Sequence, residues 1–503
     1  MAPGLLAPSG RAYKPRMTEA RADRSFPVFS EHAWRNLVRE STGGKSVEDF
    51  AFRTEDEILR LPLYGQTAAP RLLRRQSPAW TIVQRIDHGE IADAARQIAD
   101  DLAGGADGID LVFAGSPVAH GRGLPGAPAA ADLISALPGN VAVRLDGGEA
   151  TLTLAAPAVG SRPLALAADV PTILGAQGFL RRSIASHEAE ILAFAAALEK
   201  ADASGVLVAD GRVWHAGGAS EGQELAAVLA GFTAILRLLV ERGGLPPVRA
   251  AGRLGICLSV DADRLAGVAK LRAARLLLRR VLEVAGISGV TPPIHAESSW
   301  RMLSRRDIHV NVLRSTAAAL AAIVGGADSL TVLPHTLAAE EPDPHARRLA
   351  RNLQAILLHE ARLHRVADPG SGSGAVESLT GALAETAWEK FRAIEAAGGI
   401  LAAVLSGSLQ AGIAATRDAR ARRLRDGKTQ LVGTTLFPAE PAAAASFSAA
   451  VPPAASAVTA PPLVFARLAG PYESEAGQLD AGGQRGRNDR VAVEDSPPML
   501  EAG

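Results

Sequence analysis

The sequence predicts an α/β chain folded as a (β/α)8 TIM barrel, with an extended N-terminal arm before it and a disordered C-terminal tail after it. Three observations predict this. Between residues 80 and 435, short and nearly continuous apolar runs alternate with longer segments of helical period, the pattern of parallel strands covered on both faces. Seven or eight such repeats fill a span of about the size one barrel of this kind needs. The chain has 503 residues, 48% of them hydrophobic, which is ample for one large core. A doubly wound open sheet is the competing arrangement of the same elements.

In chain order, residues 1–25 read as a disordered extension. It carries Arg11, Lys14, Arg16, Arg21 and Arg24 and lacks the continuous apolar stretch of a secretory signal, a mitochondrial presequence being the other reading. Residues 26–79 read as an arm for subunit docking, punctuated by Phe26-Pro27-Val28-Phe29 and Leu61-Pro62-Leu63-Tyr64. Ser30 is placed to cap one short helix with Trp34, Leu37 and Val38 on its apolar face. Such an arm cannot bury itself and needs a surface to lie on.

The barrel is expected over residues 80–437. Its β-like runs are Gly108–Gly115, Asn140–Asp146, Pro163–Val170, Gly205–Trp214, Leu254–Val260, Gly289–Ala296 and Ser329–Pro334. The helical segments between them are Ile91–Leu102, Ser183–Leu198, Glu221–Glu241, Asp261–Ala285, Ile308–Val324 and Ala346–Leu363, followed by Leu379–Ala397 and Leu401–Leu424. From residue 438 to 503 an Ala/Pro/Ser tract gives way to a Gly- and charge-rich end without periodicity, read as a largely disordered tail. That stretch is too short for a further α/β cofactor-binding domain with its linker.

Composition excludes several function classes. With 53 basic and 53 acidic side chains the formal charge is zero, so no long-range field draws nucleic acid or an anionic membrane. No apolar run approaches the roughly 18 residues that cross a bilayer. Cys257 is the only cysteine, which rules out an internal disulfide or a cysteine-based zinc site and points to a reducing, cytoplasmic setting.

Four local signatures look chemical and fail on geometry. Gly121-Arg122-Gly123-Leu124-Pro125-Gly126 is a literal G-x-G-x-x-G with Asp146 downstream, but it lies too far past its strand, and Pro125 removes an amide from any anion nest. Gly218-Ala219-Ser220-Glu221-Gly222 matches G-x-S-x-G, yet Ser220 is placed to cap the following helix. His359 and His364 stand five apart and point to different faces, where zinc needs i, i+4. Asp343-Pro344-His345 begins like D-x-H-x-x-G, but Arg348 replaces the glycine.

Longer stretches carry a resemblance. They are Val268–Arg275, Ile294-His295-Ala296-Glu297-Ser298-Ser299-Trp300-Arg301 through Asp307, Asn311–Thr316, Gly325–Leu330, Ala350–Gln354, Val366–Pro369, Val376–Thr380 and Ile394–Gly399. In this order they resemble methylmalonyl-CoA mutase, and specifically its small subunit, over roughly residues 26–437. The resemblance implies a radical rearrangement of methylmalonyl-CoA to succinyl-CoA with adenosylcobalamin, carried out by a large catalytic subunit. In that catalytic chain the barrel holds CoA along its axis, and a second domain caps the corrin.

Position by position, the catalytic tools of the family are missing. The tyrosine-bearing segment expected after Leu63-Tyr64 is Gly65–Pro78, which contains no tyrosine. Val213 stands where the family has its catalytic histidine, with His215 two residues out of register. Gly370–Val376 has lost the aromatics that follow Asp368-Pro369 in the family. Arg253 aligns with a CoA-contacting arginine, although the serine two residues on is Gly255. The expectation is therefore a supporting subunit of a heterodimer, with no catalytic residue, no metal ligand, and no cofactor bound by this chain alone. An independently active acyl-CoA mutase barrel using a separate cobalamin-binding chain is the alternative, and a chaperone-like or regulatory paralogue is a third.

Overall fold

The structure is a computed structural model and describes residues 30–65, 67, 71–73, 75, 77–160, 162–439 and 456–473. The described residues fall into two units, one of 30–52 with 59–62 and the other of 53–58 with everything from 63 onward.

In the smaller unit a helix spans Glu31–Ser41, its first turn capped by Ser30 Oγ accepting from Ala33 N at 3.2 Å. Arg35 pairs with Glu31 on the same helix and with Glu48 on the turn that follows. None of the helical residues is buried, and Leu37, Phe50, Phe52 and Leu61 are all more than 40% exposed.

The larger unit is a closed barrel of eight parallel strands: β1 (Thr81–Ile86), β2 (Gly108–Val112), β3 (Ala142–Asp146), β4 (Leu164–Leu166), β5 (Gly205–Asp210), β6 (Leu254–Val260), β7 (Ile294–Ser298) and β8 (Ser329–Thr331). They follow chain order around the ring, and β8 closes on β1 in the register Ser329↔Thr81. Helices on the outside connect them: α1 (Ile91–Ala103), α2 (Ala127–Ala136), α3 (Thr151–Ala155), α4 (Ile184–Lys200), α5 (Glu221–Arg237), α6 (Arg264–Val284), α7 (Val310–Val324) and α8 (Pro344–Ala355). A third layer, α9 (Gly374–Ala396), α10 (Gly399–Leu405) and α11 (Ser408–Arg425), packs over α5 and α6. The expected barrel is thus present, and the open-sheet alternative is not.

Three details depart from the expectations. The first strand, β1, was not among the expected runs, because Gln84 and Arg85 interrupt its apolar character. The run Gly205–Trp214 is a strand only to Asp210, and Arg212–Gly217 is a short helix that turns across the barrel end. The tail needs a correction too, since residues 456–473 lie against the barrel, with Val458–Thr459 paired antiparallel to Phe179–Leu180 and Leu463 buried. These residues carry no periodicity of their own, and their order comes from the barrel surface they rest on. The rest of 438–503 beyond residue 439, and the extension 1–25, lie outside the described residues.

The outward strand faces meet the helices through one apolar core. The α5 helix with its π-helical continuation, Glu221–Arg242, has a mean hydropathy of 1.6 over its most apolar window. It is long and apolar enough to cross a membrane, yet 72% of that window is buried within the fold, as in a core helix of a barrel wall.

Helix α6 shows how polar groups tie this layer together, and it holds the first resemblance stretch. Lys270, Arg272 and Arg275 are all under a tenth exposed. Lys270 meets Glu221 and Glu224, and Arg275 Nη2 meets Asp328 at 2.5 Å. Arg272 meets Asp368 and Glu377, and also donates to Arg71 O at 3.0 Å. Leu73 N donates to the same Asp368 at 2.7 Å, so residues 71–73, the last part of the expected docking arm, lie on the chain's own barrel.

Candidate functional site

In a barrel of this kind chemistry is expected inside the ring and at the C-terminal strand ends. Here the interior is ionic. Residues two apart on one strand share a face, so Arg144 and Asp146 on β3, Asp110 on β2, Arg85 on β1, Asp210 on β5, Cys257 on β6 and Glu297 on β7 point inward together. Every one of them is under a tenth exposed.

Arg212, from the helix after β5, is the hub. Its Nε lies 3.0 Å from both Asp210 oxygens, and its Nη2 lies 2.6 Å from Asp210 Oδ2 and 2.7 Å from Asp146 Oδ2. Its Nη1 reaches Glu297 at 3.2 Å and approaches Asp110 to 3.9 Å, while Arg144 stands 4.0 Å from Asp110. Beside this group Arg85 Nε bonds Asp87 at 2.8 Å, and Arg347 takes the other oxygen of Asp87 at 2.8 Å.

The electrostatics follow from burial. Loss of water works against the Arg212 cation, but the surrounding carboxylates, Asp210 first among the acids, hold it well above the ordinary arginine value. Asp87 is held down to about 2, because Arg85 and Arg347 outweigh its burial. Asp146 and Glu297 are raised, by burial first, with Arg212 opposing. Burial, reinforced by Arg144 and Arg212, pushes His295 well below the usual imidazole value, and its Nδ1 lies 2.7 Å from Ser329 Oγ. Beside the network, Asp146, Asp169, Thr172, Asp210 and Val213 bound a cavity of about 10 Å³, room for at most one water molecule.

The candidate residues read from the sequence come to rest as follows. Val213 is buried at the edge of that cavity. His215 is buried, with Nδ1 3.0 Å from Glu224 Oε2 and Nε2 2.9 Å from Ser299 Oγ. Burial, with Arg301 and Lys270 nearby, holds it well below the usual imidazole value. Arg253 immediately precedes β6 at the N-terminal end of the barrel, where its Nε meets Glu199 at 2.6 Å and its Nη1 donates to Ala203 O at 2.5 Å. It is not brought together with Val213, His215 or the Arg212 network.

Ser220 is a cap, accepting from Gln223 N at 3.2 Å and donating to Asp56 Oδ1 at 2.6 Å. The glycine-rich loop 121–126 folds back along its strand, with Leu124 N donating to Val112 O at 2.9 Å, and forms no anion cradle. Asp343 caps α8 by accepting from Ala346 N at 2.7 Å. His359 lies in the π-helical turn after α8, and His364 in a separate short turn.

Among the described residues, one cluster has the composition of a metal centre, namely His215, Glu221 and Glu224. The Lys270 ammonium lies between the two carboxylates, 2.7 Å from Glu224, and burial is outweighed so that Lys270 rises to about 12. A cation is therefore already built into the position an ion would take. Sequence reasoning found His215 but missed Arg212, whose signal was a charged residue one position past an apolar strand that itself ends in Asp210.

The comparisons with known proteins agree with this geometry. The methylmalonyl-CoA mutase family profile matches residues 183–456. A methylmalonyl-CoA mutase small subunit from Streptomyces virginiae is 35% identical over 451 residues, covering 82% of this chain and 71% of that one. A probable small subunit from Mycobacterium bovis is 44% identical over 203 residues, 39% of this chain and 33% of the relative. The small subunit of Propionibacterium freudenreichii subsp. shermanii is 36% identical over 234 residues, 46% of this chain and 36% of the relative, so the last two matches span about a third of those proteins' lengths. The chain belongs to the methylmalonyl-CoA mutase family, among sequences of its small subunit.

Proposed function

We propose that this chain is a non-catalytic supporting subunit of a heterodimeric, cytoplasmic methylmalonyl-CoA mutase that uses adenosylcobalamin, with the isomerisation carried out by a large subunit. The observation that carries the reading is the ionic interior. If the axis is the path of an acyl-CoA, the pantetheine chain needs a channel of some hundreds of Å³. Here Arg212 and its four carboxylate neighbours close that space. A thioester arm could enter only by displacing mutually compensating buried charges, at a cost of several kcal/mol for each ion stranded.

At the C-terminal end, residues 456–473 lie along the rim, bonded to the segments that follow β4, β5 and β7. Val213 carries no imidazole, and that of His215 is buried. The exposed apolar residues of the smaller unit, Leu37, Phe50 and Phe52, are the surface we assign to the large subunit.

The test is turnover. The chain alone, supplied with adenosylcobalamin and methylmalonyl-CoA, is expected to form no succinyl-CoA, whereas addition of the large subunit gives activity. Turnover by the chain alone would establish the alternative, an independently active barrel.

A further inference from the structure

Three loops at the C-terminal ends of the strands bring side chains to one carboxylate. Asp87 and His88 follow β1, Arg122 lies in the glycine-rich loop after β2, and Glu341 lies between β8 and α8, with Arg347 in the first turn of that helix. Arg122 Nη1 meets Glu341 Oε2. Arg347 Nη2 stands 3.6 Å and His88 Nδ1 3.8 Å from Glu341 Oε1. Both oxygens of Glu341 therefore face nitrogen groups that come from separate elements.

The receiving groups are buried, and the carboxylate is not. Side-chain exposure is 1% for Arg347, 11% for Arg122 and 15% for His88, against 58% for Glu341. The receivers are also fixed by bonds that do not involve Glu341. Arg347 donates from Nε to Pro342 O at 3.1 Å and from Nη1 to Arg85 O at 3.3 Å, and its Nη2 lies 2.8 Å from Asp87 Oδ1. Arg122 is set by its loop, where its N donates to Ala119 O at 3.0 Å. A Cβ on the next residue, Gly123 at φ +143°, would lie 2.4 Å from Ala114 N, so glycine is what lets the loop turn back here. The literal G-x-G-x-x-G makes no amide cradle, but it presents a guanidinium.

Attraction for an anion is left over at this corner. Arg85 and Arg347 share the single carboxylate of Asp87, and Glu341 reaches Arg347 only at 3.6 Å. A pair with so exposed a partner contributes little, so its carboxylate is cheap to displace.

We propose that His88, Arg122 and Arg347 form an oxyanion subsite for a phosphate group, and that Glu341 is its tethered occupant, which swings into solvent when the ligand enters. A phosphate offers a third oxygen and a second charge where Glu341 offers two oxygens and one charge, and arginine pairs with it through two parallel N–H donors. The proposal stands whether or not the chain is a supporting subunit, because only loops of this chain take part.

Calorimetric titration of the full-length chain with inorganic phosphate, at neutral pH and constant ionic strength, tests it. The tethered carboxylate competes at an effective concentration of about millimolar or above, so native binding is weak. Glu341→Gln keeps the size of an exposed side chain and removes the competing charge, so phosphate binds about tenfold or more tighter. Adding Arg122→Gln to that variant weakens binding by about tenfold or more, and Arg122→Lys by less, since lysine keeps the charge without the paired donors. The lysine variant keeps the test open if the glutamine one fails to fold. Methyl phosphate in the same titration separates the two sources of the group: comparable binding assigns the site to a phosphate carried by a larger ligand, and loss of binding assigns it to the free ion. No phosphate binding by Glu341→Gln at tens of millimolar, equal affinity in the native chain and Glu341→Gln, or indifference to both Arg122→Gln and Arg122→Lys would each overturn the proposal.

Discussion

Replacing Arg212 with methionine keeps the volume of the hub and removes its charge. Asp210 and Asp146 lose partners at 2.6 and 2.7 Å, and Glu297 loses one at 3.2 Å. Bulk water does not reach these oxygens, so the folded variant neutralises at least one carboxylate by taking up a proton. At pH 7 that costs about 4 kcal/mol for a group of ordinary acidity, within the ~3–5 kcal/mol expected when one member of a buried ion group is deleted. At pH 5 the same protonation costs only about 1.5 kcal/mol. The sign follows, because folded Arg212→Met binds one more proton than the folded native protein, so its defect shrinks as pH falls. Urea midpoints at the two pH values, followed by circular dichroism, should place the variant about 4 kcal/mol below the native chain at pH 7 and about 1.5 kcal/mol below it at pH 5. Adding Asp210→Asn should recover more than ~1 kcal/mol at pH 7, because the two residues share one network. A defect under 1 kcal/mol at pH 7, or one that does not change with pH, would refute the view of the interior as a set of interdependent charges.

Other outcomes can be checked more briefly. Arg272→Ala strands Asp368 and Glu377 and releases the backbone of Arg71, so stability falls by about 3–5 kcal/mol and tryptic cleavage after Arg71 accelerates. The buried imidazole of His295 stays neutral in the fold, whereas the unfolded chain protonates it below about pH 6.5. The native chain should therefore lose about 1.4 kcal/mol relative to His295→Gln between pH 7.5 and 5.5, and equal pH slopes for the two proteins would contradict this. The triple substitution Leu37→Ser, Phe50→Ser, Phe52→Ser touches no residue of the buried core, so thermal unfolding of the barrel stays put while co-purification with a large subunit is lost.

Much of the fold could be read from the sequence because its strands and helices keep their periods. Leu254–Val260 is apolar but for Ser259 and matches its expected bounds, and Ser30, Ser183 and Ser220 cap the helices they precede. The first strand was not legible, and the reason is the interior itself. A strand that sends Arg85 into an ionic core and Gln84 toward Asp101 and the Arg347 carbonyl on the outer face has no apolar run to find. The same physics hid the site, since Asp110, Arg144, Asp146 and Glu297 are scattered over three strands and acquire meaning only when the ring closes around Arg212. The docked part of the tail was read as disorder because nothing in Ala457–Leu468 stabilises itself. Its partners include Gly178, Gly217 and Gly407, the Ala216 carbonyl, Trp300, Gln410 and Arg417, all more than 40 residues away in sequence.

The stretches that carry the family resemblance turn out to be largely framework. Val268–Arg275 contributes three buried cations to three separate anchor points, and Ile294–Asp307 supplies Glu297, Ser299 and Arg301 to the polar interior. Similarity of this kind reports how the barrel is held together, which a catalytic and a supporting chain can share while differing at the axis.

The ionic filling of that axis also has a bearing on how such a chain can change over time. Each charge is tolerated only because the others are present, so any single substitution that begins to reopen the channel leaves a buried ion without its counterpart and lowers stability by several kcal/mol. A passage would form only if Arg212 and most of its carboxylate neighbours changed together. The filled axis therefore behaves as a unit: surface loops can vary one residue at a time, while each single change in the ionic interior lowers stability by several kcal/mol.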